Sequence, residues 1–189
     1  MCKRLLFTLA SILIGLSAGR ADDGDRLQSH LMSFAFDRFD PPIPGQAEVD
    51  NAKVNIVERF GYPKHIETTI QPNPSDPGYH SEVAHWKYDG LTITLSTPVI
   101  HMNPRSSMTS ITLTGTDYNV QFGLNIGSHK LAYRKYLGNP ARIEADTYLY
   151  RTGRYTNVNG IDFYSSQDIV IQFDDQGNST SMTWAYAGH

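Results

Sequence analysis

Two periodicities divide the chain. From Asp25 to Phe39, Leu27, Leu31, Phe34 and Phe39 recur near helical spacing with Asp25, Arg26, Gln28 and Asp37 between them, and Asp40-Pro41-Pro42-Ile43-Pro44-Gly45 then stops the pattern. A second helix is predicted from about Gln46 to Arg59, burying Val49, Ala52, Ile56, Val57 and Phe60, with Gly61 and Pro63 as its stop signal. Beyond it the period becomes two. Ala84, Trp86 and Tyr88 alternate with His85 and Lys87; Asp89-Gly90 reads as a tight hairpin turn; Leu91, Ile93 and Leu95 alternate with Thr92, Thr94 and Ser96. Ile111 and Leu113 continue the scheme opposite Thr112 and Thr114, so one sheet face is apolar and the other mostly threonine.

The same unit recurs. Phe60-Gly61-Tyr62-Pro63-Lys64-His65-Ile66-Glu67 matches Leu137-Gly138-Asn139-Pro140-Ala141-Arg142-Ile143-Glu144 at an offset of 77. Leu91-Thr92-Ile93-Thr94-Leu95 matches Ile169-Val170-Ile171-Gln172-Phe173 at 78, and Ser107-Met108-Thr109 matches Ser181-Met182-Thr183 at 74. Each copy reads as a helix ending in apolar-Gly-x-Pro, followed by an antiparallel meander of three or four strands. The predicted fold class is therefore α+β: a tandem repeat of helix plus antiparallel β-meander, with the helices packed on one face of a continuous sheet. The divisions are 22–45 for an N-terminal helix and Pro-rich linker, 46–120 for the first copy and 121–189 for the second.

Residues 1–21 change the account of composition. Lys3 and Arg4, an apolar stretch from Leu5 to Leu16, and small residues leading to Ala21 form a secretory signal peptide pattern, too short in its apolar core to span a bilayer. The expected product is periplasmic or secreted, from a Gram-negative bacterium, with no stable membrane anchor. Cleavage takes away Cys2, the chain's one cysteine, so disulfides, thiolate nucleophiles and cysteine-held metals are excluded from the mature protein. Removing Lys3, Arg4 and Arg20 from 16 Lys+Arg leaves 13 against 19 Asp+Glu, a formal charge of −6 that makes nucleic acid and anionic lipid poor partners.

Ile126-Gly127-Ser128-His129-Lys130, followed by Leu137-Gly138-Asn139-Pro140 and a strand meander, resembles the small helix-and-sheet unit of outer-membrane assembly lipoproteins of the SmpA/OmlA type. Its tandem duplication is similar to the beta-lactamase inhibitor protein (BLIP) fold. That resemblance, over roughly Gln46 to His189, implies a saddle-shaped sheet whose concave face grips an enzyme. The chain departs from the pattern in three ways: it has no lipid-attachment cysteine, no cysteines to staple the repeats, and no Ile-Gly-Ser opening in the first copy.

Candidate chemistry is sparse. There is no Gly-x-Ser-x-Gly or Ser-x-x-Lys, and Ser128, beside His129 at a helix start, is better read as an N-cap than as a nucleophile. His80 and Glu82 share a strand face while His85 points the other way, which spoils the densest ligand cluster. Asp174-Asp175-Gln176-Gly177-Asn178 lacks the acidic spacing of a calcium loop and sits where a hairpin turn is needed. Glu144 and Asp146 have no evident carboxylate partner.

The aromatics carry the functional expectation. Aligning the last strands of the two copies sets Met182, Trp184 and Tyr186 with Met108, Ser110 and Thr112, and Thr183 and Ala185 with Thr109 and Ile111. On that phase Trp184 and Tyr186 stand on the open side of the sheet, joined by Tyr148 and Tyr150 if Leu149 faces inward. The alternative is a flipped strand with the aromatics in the core; the thin inner row Thr183, Ala185 and Ala187 favours exposure. Gln71 to Gly78, rich in turn residues, is expected to be a rim loop presenting Asn73, Asp76 and Tyr79. The expected function is a soluble periplasmic protein-binding module, not an enzyme: an inhibitor or immunity-type protein that occludes an enzyme or toxin of basic character, without metal or cofactor. The alternatives are an envelope-assembly scaffold, or a small-ligand binder or hydrolase whose site is unrecognised.

Overall fold

The structure is a computed structural model that describes Phe34 and residues 52–73, 76–99, 106–158 and 161–188. The predicted leader, the Pro-rich segment and the predicted N-terminal helix other than Phe34 lie outside the described residues, as does the start of the predicted helix from Gln46. The described helix is α1, Ala52–Phe60. Four strands follow: β1 His65–Asn73, β2 Asp76–Tyr88, β3 Leu91–Pro98 and β4 Ser107–Leu113. A second helix, α2, spans Lys130–Leu137 and is followed by β5 Arg142–Glu144, β6 Thr147–Val158, β7 Ile161–Phe173 and β8 Ser179–Gly188. All eight strands join one sheet in the order β1-β2-β3-β4-β8-β7-β6-β5. Every pairing is antiparallel. The architecture is thus dominated by antiparallel sheet, with few helices.

Alternation in the sequence sets the inner face. Trp86 pairs with Ile93, Ile93 with Ile111, Ile111 with Trp184, Trp184 with Ile169 and Ile169 with Tyr150, one continuous buried row across six strands. A second row runs from Leu91 through Leu113, Met182 and Ile171 to Tyr148. Ile56 of α1 and Tyr133 and Leu137 of α2 are buried in the same cluster, with Val57 and Phe60 packed against it. Tyr133 shows why α2 sits where it does. Its hydroxyl hydrogen-bonds the Ser179 Oγ at 2.9 Å and donates to the Leu124 carbonyl at 3.1 Å, and its ring meets Phe173 edge-on at 5.6 Å.

Both helices stop as their sequences require. Gly61 (φ 77°) donates its N–H to the Val57 carbonyl at 2.8 Å, and Gly138 (φ 81°) donates to the Arg134 carbonyl at 3.1 Å; only glycine adopts such φ without a steric cost. The Asp89-Gly90 hairpin also forms, with Tyr88 paired to Leu91 across it. A β-carbon on Gly90 would overlap the Gly115 backbone, so this turn has a second reason for glycine.

Two expectations are corrected. Gln71 to Gly78 is not a loop: Gln71–Asn73 ends β1 and Asp76–Gly78 opens β2, so the segment is the tip of a long hairpin. Proline does not prevent this, because an edge strand tolerates it wherever the peptide nitrogen faces solvent. The N-cap of α2 is His129, whose side chain accepts from the Leu131 N–H at 3.4 Å, while the Ser128 hydroxyl donates to the Gly123 carbonyl at 3.3 Å.

Candidate functional site

The sheet assigns opposite fates to its two faces, and the expected aromatic binding surface falls on the covered one. Trp184 is 1% exposed, Tyr150 1% and Tyr148 7%. The Trp184 indole N–H donates to the Phe34 carbonyl at 3.1 Å, and the two rings lie 5.6 Å apart. Phe34 stacks in turn on Phe122 (6.4 Å), and Phe122 on Tyr136 of α2 (5.7 Å), so Trp184 begins an aromatic column that runs out to the helix. Tyr148 packs on Phe173 at 4.8 Å and on Tyr150 at 6.4 Å. Burial raises the Tyr150 phenol well above its ordinary value, as it does the Tyr133 phenol, which reaches about 12.

The cause is one residue. β3 and β4 change register between Thr94 and Leu95: Thr94 pairs with Ser110 and Leu95 with Met108, leaving Thr109 unpaired in a bulge. Met108 packs against the core and Ile111 is buried, although an uninterrupted strand would put them on opposite faces. β8 carries no bulge between Met182 and Trp184, so both stay inside. Matching the two strands without the bulge inverts the phase and sends Trp184 outward.

Of the other expected residues, Tyr79 is 52% exposed at the hairpin tip, remote from the aromatic column. The side chains of Asn73, Asp76 and Tyr186 lie outside the described residues. The structure therefore does not bring the seven expected residues into one surface.

The uncovered face is built from the intervening positions. Across its middle run Thr92 and Thr94 of β3, Ser110 and Thr112 of β4, and Thr183 and Ala185 of β8, with Val170 and Asp168 of β7 next to them toward the flank. The hydroxyls of Thr112 and Thr183 meet at 3.0 Å across the seam between the two halves, and His85 Nδ1 lies 3.1 Å from the Thr94 hydroxyl. On β6, Leu149 pairs with Val170, and Arg151 grips Asp168 through two hydrogen bonds of 2.7 and 2.9 Å. At the opposite flank Lys87 donates to Glu67 at 2.6 Å; this bond, with the charges of Lys87, His65 and His85, holds the Glu67 carboxyl below the usual range. Such exposed pairs, screened by solvent, add little stability, but they fix where charge stands.

The face thus has an uncharged hydroxyl-rich centre and flanks of mixed sign. The threonine alternation of β3 and β4 is its signal in the sequence. His80 and Glu82 lie on one face and His85 on the other, and among the described residues no three His, Cys, Asp or Glu side chains gather to hold a metal ion. Asp174 closes the β7–β8 turn by accepting from the Asn178 N–H at 2.8 Å and the Gln176 N–H at 3.0 Å, which lowers its pKa and accounts for the acidic run without a cation. Among the described residues, no helix is long and apolar enough to cross a membrane. No protein-family model, curated protein or solved structure matches the chain.

Proposed function

We propose that the chain is a tandem helix-and-meander repeat, exported to the periplasm or beyond, that binds a protein partner through the open face of its sheet and acts by occlusion as an inhibitor or immunity-type protein. The observation that carries the reading is the asymmetry of the sheet: the large aromatics are committed to one face, while the other presents Thr94, Thr112, Thr183, Val170 and Leu149 as a broad, half-exposed platform. The duplication is supported by the order helix, four strands, helix, four strands, by the two halves meeting through β4 and β8, and by the matched glycines Gly61 and Gly138. A rigid sheet needs little reorganisation on binding, and its hydroxyls and small aliphatics suit close approach of another backbone. The resemblance to the BLIP fold points to the same face.

The mixed signs of Arg151, Asp168, Lys87 and Glu67 favour a partner matched in shape over one gathered by a field of one sign. The protein lacking its leader should be used as bait in a periplasmic extract, beside Ala185→Arg and Val170→Arg. Both variants should melt as the parent does and lose capture of any partner by at least tenfold, about 1.4 kcal/mol. Capture undiminished by arginines at these two positions refutes the open face as the binding surface.

A further inference from the structure

The two edges of the sheet are unequal. β5 is three residues long and closed by the Arg142–Glu144 ion pair, whereas β1 is nine residues long, with residues 64–72 all exposed. A long uncovered edge with apolar side chains is what folded proteins ordinarily avoid. Here Ile66 is 48% and Ile70 60% exposed.

Which peptide groups of β1 face outward follows from β2. The His80 carbonyl accepts from the Val99 N–H at 2.8 Å, so His80 directs its peptide groups toward β3, and its pairing with Pro72 carries no ladder hydrogen bonds. The Lys87 carbonyl instead accepts from the Lys64 N–H at 2.8 Å, so the odd-numbered residues of β2 serve β1. Pro72 therefore turns its nitrogen to solvent. By alternation Ile70, Thr68 and Ile66 present N–H and C=O groups outward on the same side.

We infer that β1 pairs with β1 of a second copy, antiparallel and two-fold symmetric about Thr68. In that register Ile66 faces Ile70 of the other copy, Thr68 faces Thr68, Glu67 faces Thr69 and His65 faces Gln71, so no like charges oppose and the two exposed isoleucines cover one another. The outward groups of Ile66, Thr68 and Ile70 supply about six hydrogen bonds, two at each of three pairs. Pro72, with no N–H, ends the ladder at both ends of the junction. The interface is isologous and uses up the β1 edge of both chains, so this contact closes at two chains. The open face remains free and is extended, whatever it binds.

Thr68 is the one residue that opposes itself, which makes the register testable. The full exported chain should sediment as two copies. Thr68→Lys and Thr68→Glu each set like charges together and should sediment as one copy with unchanged melting, since Thr68 is exposed; an equimolar mixture of the two should recover the two-chain mass. Thr68→Cys should cross-link into a covalent dimer on mild oxidation, because self-opposed Cα atoms stand about 5.5 Å apart, while Thr69→Cys should not. A single-chain mass for the parent, dimers indifferent to charge at position 68, a mixture that fails to recombine, or equal cross-linking at 68 and 69 each overturn the pairing. These outcomes do not bear on the open face, which the arginine variants test separately.

Discussion

The burial of Trp184 yields a number. Trp184→Phe keeps an aromatic ring beside Phe34 but removes the indole N–H that the Phe34 carbonyl accepts, and Phe34 is itself only 1% exposed. A buried carbonyl stripped of its donor costs about 1–3 kcal/mol. The lost ring volume adds a cavity term that is a fraction of the 3–5 kcal/mol typical for full truncation of a buried aromatic to alanine, roughly 1–2 kcal/mol. The sum, about 3 kcal/mol, corresponds to a fall in Tm of roughly 6–12 °C for a chain of this size. Urea unfolding should show a lower midpoint with an unchanged slope, since the surface exposed on unfolding barely changes. Tyr79→Ala, at the exposed hairpin tip, should leave the midpoint alone. In a Trp86→Phe background, Trp184 emission should be blue-shifted and shielded from iodide. A drop of less than about 2 °C for Trp184→Phe, or ready quenching by iodide, would refute both the hydrogen bond and the inward phase of β8.

Gly138→Ala should destabilise by about 1–3 kcal/mol, because its φ of 81° with ψ of −158° lies where essentially only glycine goes; a melting curve unchanged from the parent rejects its role as the α2 stop. Gly61→Ala should cost less, about 1 kcal/mol, since a β-carbon there meets no atom within 4 Å and only the φ of 77° is penalised; a larger loss than at Gly138 contradicts this. Tyr133 and Tyr88 have phenol pKa values raised by burial from 10.0 to about 12, so the neutral form is the one the fold holds. Their contribution is whole below pH 10 and is lost as pH climbs from 10 through 12. Tm should fall across that window, and Tyr133→Phe should flatten the fall; an equally steep fall in the variant removes Tyr133 as its source. Expressed in a Gram-negative host, the protein should be recovered from the periplasm with an N-terminus near Asp22, and intact Met1 on a membrane-bound chain rejects the leader.

What could be read from sequence was whatever depends on neighbours in the chain. Leu91, Ile93 and Leu95 against Thr92 and Thr94 declare their face because period two is a property of one strand. Asp89-Gly90 and the two helix-stopping glycines declare themselves because φ is a property of one residue. The bulge at Thr109 is a property of two strands, and nothing in Ser107-Met108-Thr109-Ser110 marks where β4 gains a residue over β3. Every inference carried through that strand inherited the wrong parity. The proline-rich hairpin tip failed for a related reason: whether Pro72 breaks a strand depends on which side its neighbour lies, and among the described strands β1 has none on the side its nitrogen faces.

The place of Trp184 also follows from how the halves are joined. β4 and β8 share four residue pairs, Ser110 to Leu113 with Ala185 to Met182, whereas β6 and β7 pair along the whole length of β6. So short a ladder is a weak tie between two four-stranded meanders, and side chains must supply the rest. On the inner face Trp184 covers Ile111 across the seam and Met182 covers Leu113, while Phe34 closes over Trp184 and links it through Phe122 to Tyr136 of α2. On the outer face the seam carries Thr112 and Thr183, small enough to leave the strands flat and polar enough to bond each other at 3.0 Å. An exchange of these roles, tryptophan outside and threonine inside, would leave the seam unfilled where the halves most need contact area. The largest side chain is therefore structural because of where it stands. The proposed function therefore assigns partner binding to the hydroxyl-rich face behind it, where arginine substitutions can be made without opening the core.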